Sequence, residues 1–421
     1  MSTKIIKTIG WIALWTVIIV AIVAIEAFWI ARPAVPRGDS ATIEDYLIQN
    51  LNQADQPTLG SAALVLIQAG EVVATHSFGI ANVENESPVK IDQTLYQMAS
   101  VSKLVTAWGV MKLVEDGKIS LDEPVNQYLN RWKFPASEYS EQVTIRHLLS
   151  HTGGLDDLFG YAGFLPDESI QSLEESLTLT QDPASGNPRG VTVTREPGQR
   201  WLYSGGGYTV LQLLIEEVTQ QSFSDYMEEA ILKPLGMRAS SFDWEVIAAS
   251  GRIDELATSF DSKLQPSPHR QYTATAAASL YATAQDMARF VQAYSQENSA
   301  LKQETLELMM QPQSGTDQNW GLGHILYVAN GADEYIVGHD GGNLPALGHT
   351  VRVNPATGNG IVLLISGNSS LANQLGDAWV YWETGKLSTN AKLRILGNRL
   401  GPALVGTGLG ALAIAIRALM K

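Results

Sequence analysis

A serine followed three residues later by a lysine, Ser100-Val101-Ser102-Lys103, is the first place in this sequence where two residue types combine into a reaction. A serine hydroxyl is a poor nucleophile until a base takes its proton. On a helix, positions i and i+3 share a face, so the Lys103 amine would meet the Ser100 hydroxyl. Lys103 serves as that base only if burial or a neighbouring cation lowers its pKa from about 10.4. Leu104, Val105 and Trp108 supply apolar surroundings. Ser100 also opens the expected helix, where unpaired N–H groups and the dipole favour negative charge, so its own N–H is a candidate oxyanion donor. The plainer reading makes Ser100 an N-cap and Lys103 a solvated surface lysine. Ser87-Pro88-Val89-Lys90 repeats the spacing, but it lies in a polar loop with proline directly after the serine, so helical geometry is not expected there.

Two further stretches carry candidate chemistry. Tyr203 precedes a glycine-rich helix start, Gly205-Gly206-Gly207, which would put its phenol near the nucleophile. A cation such as Lys103 beside it would lower the phenol pKa and let it relay protons; a core tyrosine at a turn is the alternative. In Gly338-His339-Asp340-Gly341-Gly342, the glycines permit close backbone approach. The N–H groups of Gly341 and Gly342 are candidate oxyanion donors, and His339 is a candidate partner for substrate or for the phenol.

Other chemistries find little support. There is no G-x-S-x-G, no H-E-x-x-H and no phosphate-binding glycine motif. His147 and His151 are four apart, but no carboxylate joins them and glycines follow, so no metal site is expected. The absence of cysteine excludes disulfides and thiolate chemistry. A net charge of −15 without basic clusters argues against nucleic acid. No cofactor is expected.

These residues need a scaffold. Hydrophobic residues make up 45% of 421, enough for a substantial core. Residues 41–53 have helical spacing, and 62–68 with 71–78 read as a hairpin around Ala69-Gly70. Helices are expected over 100–115, 144–150, 206–217, 223–232 and 283–295, with a long polar loop over 161–194. From Trp320 onward strands are expected over 321–328, 335–338, 349–354 and 360–366, then a closing helix near 379–383. Strands at both ends and helices between them imply an α+β fold. One sheet assembled from both chain ends, with helices inserted between, satisfies this order.

The termini suggest a membrane. Lys4 and Lys7 precede an apolar run over 9–25, continued over 27–30, with Trp11, Trp15 and Trp29 suited to the interfaces. No A-x-A cleavage site follows, so an uncleaved anchor is preferred to a signal peptide. Residues 400–416 carry no charge and contain the Gly406/Gly410 spacing of close-packed membrane helices, which makes them a candidate second span. The expected division is an anchor over 1–31, a linker over 32–40, a catalytic domain over 41–385 and a C-terminal segment over 386–421. The charge asymmetry puts that domain on the extracytoplasmic side of the cell membrane.

Taken together, Met98-Ala99-Ser100-Val101-Ser102-Lys103, Tyr203-Ser204-Gly205 and His339-Asp340-Gly341 resemble, in order and spacing, the motifs of the serine β-lactamase-related superfamily. That superfamily includes class C β-lactamases, D-Ala-D-Ala carboxypeptidases, D-aminopeptidases and esterases of the same fold. Similar supporting stretches are 116–125, 145–155 and 320–323. The resemblance implies an antiparallel sheet packed by helices, with an inserted all-helical subdomain and the site between them. It implies acylation of Ser100, with Lys103 and Tyr203 sharing proton transfer and the N–H groups of Ser100 and Gly342 holding the oxyanion. It implies a small ester, amide or peptide substrate. Two departures stand out: Gly205 replaces an asparagine, and His339 replaces a lysine that would bind a substrate carboxylate. Both weaken the case for β-lactam hydrolysis and tilt it toward esterase or D-aminopeptidase chemistry. Gly205 also keeps open a non-catalytic envelope binding protein of the same fold.

Overall fold

The computed structural model describes residues 40–52, 59–157, 160–183, 186–317, 319–331, 334–389 and 391–394, with a few helical positions between 10 and 21. Contacts divide the chain into a large unit, Glu44–Gly376, and a small one made of Met1–Ile43 and Asp377–Lys421. In the small unit Asp377 accepts hydrogen bonds from Ser388 and Arg394. Among the described residues no helix is long and apolar enough to cross a membrane. Most of the expected N-terminal span, and all of the expected C-terminal one, lie outside the described residues.

The large unit is built on an antiparallel sheet of seven strands. β1 (Ser61–Gln68) and β2 (Glu71–Asn82) form the expected hairpin, and β3 (Ser87–Pro88) adds a short edge. From the other end of the sequence come β4 (Ile325–Ala329), β5 (Tyr335–Asn343), β6 (Leu347–Asn354) and β7 (Asn359–Ser366). The spatial order is β3-β2-β1-β7-β6-β5-β4, so the two chain ends meet at the β1–β7 ladder. That ladder places Val65 opposite Val362, and Val351 is opposite Val362 on the other side. Alternate residues of such strands line one face, and Ala63, Val65, Val351, Val353, Val362 and Leu364 all enter the main core.

Between the strands lie α2 (Val101–Glu115), α3 (Ile145–Leu149), α4 (Gly205–Thr219), α5 (Thr275–Ala278) and α6 (Ala284–Gln292); α1 (Ser40–Leu51) precedes them. α6 packs on β1, β6 and β7, and α2 on β5 and β6. The middle of the chain is not the all-helical subdomain that the resemblance implies. It contains the two-residue ladders Tyr96–Gln97 with Tyr281–Ala282 and Ser259–Phe260 with Pro266–Ser267. It also falls in the same unit as the sheet. Such short ladders carry no alternation long enough to register in a sequence.

α2 is buried on every side over its first three turns, Lys103 and Thr106 included. A helix wrapped on all faces by protein is a rigid platform, and the Ser100–Lys103 pair stands on its first turn.

Candidate active site

Ser100 lies at the N-terminus of α2, but its hydroxyl makes no capping hydrogen bond. The plain N-cap role therefore fails, and the oxygen is left for other partners. The preceding residue, Ala99, holds φ +48°, a left-handed conformation that is unfavourable for a residue bearing a Cβ. Among the described residues the Ser100 N–H has no hydrogen-bond partner, as an oxyanion donor requires.

Lys103 is only 3% exposed. Its Nζ donates to the Ala277 carbonyl at 2.8 Å and reaches the Ser100 Oγ at 3.4 Å. The carbonyl is fixed because the segment around α5 is laced to α2. Thr106 donates to the Ala276 carbonyl at 2.9 Å, and the Leu280 N–H donates to the Ser102 Oγ at 2.9 Å. Burial lowers the Lys103 pKa to about 7, with the negative charge of Asp157 opposing the fall. The surface-lysine alternative is thereby excluded.

Tyr203 is held by its neighbours. The Leu202 N–H donates to the His151 carbonyl at 2.8 Å, and the Ser204 N–H donates to His151 Nδ1 at 3.1 Å. The His151 and Tyr203 rings lie 4.4 Å apart, and Lys103 Nζ is 5.0 Å from the phenol ring centre. A lowered phenol pKa was expected; the direction is the reverse. Burial raises it, while a hydrogen bond with the Ser100 hydroxyl only partly offsets the rise. Tyr203 therefore keeps its proton across the neutral range, and Lys103 is the group able to accept one.

His339 lies on β5 and is 2% exposed. Its Nδ1 meets the Asp340 carbonyl at 2.6 Å, which puts the ring proton on Nδ1 and leaves Nε2 as an acceptor. Nε2 is buried without a partner, so no hydrogen bond joins it to the phenol. Burial, aided by the positive charge of Lys103, lowers its pKa to about 3. The contact it offers is thus neutral and does not titrate near pH 7.

Gly341 and Gly342 play different parts. A Cβ on Gly341 would lie 2.6 Å from the Met98 carbonyl, so glycine there lets β5 close against the turn that leads into Ser100. Gly342 lines the cleft. The β4 register ends at Gly338, so among the described residues the rest of β5 has no strand partner on that side, and its Gly342 lines the same cleft as Ser100. The second Ser-x-x-Lys, at Ser87, begins a short strand and takes no part in the site.

Together Ser100, Lys103, Tyr203, His339 and Gly342 line a cleft of about 600 Å³. Sequence reasoning missed Asp157 and Tyr161. Asp157 accepts from the Ser204 hydroxyl at 2.7 Å and from the Gly206 N–H at the start of α4. Its other oxygen is buried without a partner, and burial raises its pKa. The sequence around both residues carries no periodicity, and only the fold brings them to Tyr203 and Gly205.

A family model described as Beta-lactamase matches residues 47–386. Penicillin-binding protein 4* of Bacillus subtilis is 30% identical over 177 residues, which is 42% of this chain and 37% of that relative. Protein flp of Staphylococcus aureus is 24% identical over 319 residues, 75% of this chain and 61% of its own length. The matches therefore span less than two thirds of either relative. Among solved structures, the octameric penicillin-binding protein homologue from Pyrococcus abyssi aligns with a TM-score of 0.66 at 26% identity, covering 83% of this chain and 78% of that one.

Proposed function

Since the chain belongs to the Beta-lactamase family, we propose that it is a serine acyl hydrolase that cleaves an ester or amide through an acyl-Ser100 intermediate. The observation that carries the reading is a buried amine, with a pKa lowered to about 7, whose Nζ lies 3.4 Å from an uncapped serine hydroxyl. The Ser100 Oγ bonds to the acyl carbon as its proton passes to Lys103. The oxyanion is held by the N–H groups of Ser100 and Gly342. Collapse expels the leaving group, which takes that proton through Lys103 and the Tyr203 phenol. Water then attacks the acyl carbon, gives its proton to Lys103, and releases the acid as Ser100 is reprotonated.

Within this chemistry an ester is favoured over a substrate that ends in a carboxylate. Lys103 and His339 are the only basic side chains among the described residues lining the cleft, and His339 is neutral. No fixed cation remains for a carboxylate. The same proposal places the domain outside a cell membrane, supported by the charge and hydropathy pattern of residues 1–31.

A fluorophosphonate probe is expected to label Ser100 in the wild type and not in Ser100→Ala, with p-nitrophenyl ester turnover lost in parallel. Equal turnover by the two proteins would end the enzymatic reading of this site and leave a binding protein of the same fold.

A further inference from the structure

Position 205 has no side chain, and its surroundings are crowded. A Cβ there would lie 3.0 Å from Tyr161 Cε2 and 3.1 Å from the Gly160 Cα, tighter than nine in ten real contacts, so a neighbour would have to give by a few tenths of an ångström. The Tyr161 ring therefore stands against the place where a side chain at 205 would begin. It is also anchored. The Tyr161 and Thr209 hydroxyls lie 2.8 Å apart, and Thr209 Oγ1 donates to the Gly205 carbonyl at 3.2 Å. Since the Thr209 proton goes to that carbonyl, the phenol donates to Thr209. The polar end of Tyr161 is thus spent on α4. Backbone pairing with Pro183 holds the residue from the other side.

We propose that Tyr161 is the specificity-determining residue of the acyl subsite. Its ring forms an apolar wall in place of an amide at position 205, so the site takes esters with plain hydrocarbon acyl chains over acyl groups that carry an amide. This inference rests on the serine acyl hydrolase reading. An acyl amide pressed against this wall loses its water without gaining a partner, which is the costly case. Among the residues described as lining the cleft, the buried polar atoms without a partner are His339 Nε2 and Asn343 Nδ2 on β5 and the indole Nε1 of Trp320, and none belongs to Tyr161.

Two esters of matched shape test the claim: p-nitrophenyl 4-methylpentanoate and p-nitrophenyl N-acetylglycinate, with each kcat/KM divided by the ester's own hydroxide rate. The wild type is expected to prefer the hydrocarbon ester by about tenfold or more. Tyr161→Ala should remove most of that preference; Tyr161→Leu, which keeps an apolar wall, should retain it and serves if the alanine variant fails to fold. Separately, Gly205→Asn should lower the thermal midpoint, and adding Tyr161→Ala should recover part of the loss. A wild type indifferent to the two esters, a ratio unmoved by Tyr161→Ala, or an unrelieved Gly205→Asn would each overturn the inference. Ser100 labelled by fluorophosphonate alongside an indifferent ratio overturns the subsite alone. A Ser100 that takes no label overturns the hydrolase reading beneath it.

Discussion

Lys103 carries an unusual burden for a lysine: it is buried, and the role proposed for it requires it to be neutral part of the time. The unfolded chain holds the lysine proton to about 10.5, whereas the folded site releases it near 7. Between those values the unfolded state binds more protons, so the Lys103 contribution to stability improves as pH rises through that window and is worst below 7. Lys103→Met removes the buried charge while keeping apolar bulk. The variant is expected to melt about 1–3 °C above wild type at pH 6, with the difference closing toward pH 10. Its acylation rate should fall by roughly 10²–10⁴-fold. Thermal scans and probe-labelling rates at both pH values check the pair of outcomes; a variant that melts lower at pH 6 would contradict the assignment of a costly buried ammonium. Asp157 adds a second handle, because its charge works against the lowering of the Lys103 pKa. Asp157→Asn should move the acid limb of the kcat/KM profile to lower pH, and a limb that stays in place would remove Asp157 from the electrostatics of the base. His339, already neutral, sets a contrast: His339→Gln is expected to alter KM without reshaping the profile between pH 5 and 9.

At the scale of elements, the site depends on a strand closing on the first turn of a helix. Gly341 makes this possible, since a Cβ there would press on the Met98 carbonyl at 2.6 Å. Backbone yields less readily than a side chain, so Gly341→Ala should cost about 1–3 kcal/mol of stability. It should also slow Ser100 labelling, because the strain falls on the nucleophile turn. A thermal midpoint and labelling rate equal to wild type would show that β5 does not brace Ser100. Much of this arrangement was legible beforehand. The hairpin at Ala69-Gly70, the helix behind Ser100 and the glycines around His339 each carry a local signature, and the chain-end pairing follows from strands on both sides of a helical middle. Other parts have no local signature. β5 continues through His339 to Asn343, beyond the strand expected over 335–338, because pairing with β6 overrides the weak strand propensity of its glycines. The direction of the Tyr203 shift was misjudged because sequence shows a nearby cation but not the depth of burial. Tyr161 and Asp157 come from an irregular stretch, and only tertiary contact with α4 gives them a role.

For the molecule as a whole, the family match covers 47–386, and the residues proposed for catalysis all fall in the unit Glu44–Gly376. The apolar N-terminal run is then proposed as location rather than chemistry. A chain lacking residues 1–39 is expected to leave the membrane fraction after carbonate washing while keeping ester turnover within about twofold; a protein that stays with the membrane would move the anchor elsewhere. The central claim is more demanding: one serine, out of all those in the chain, is acylated at a rate set by an amine titrating near neutrality. Intact-protein and peptide mass spectrometry of fluorophosphonate labelling, followed across pH 5 to 11, measures this directly. The account predicts a single adduct on Ser100 whose rate of formation rises to half its maximum near pH 7, as Lys103 loses its proton. An adduct on another residue, or a rate still climbing at pH 10 as for an ordinary lysine, would contradict it.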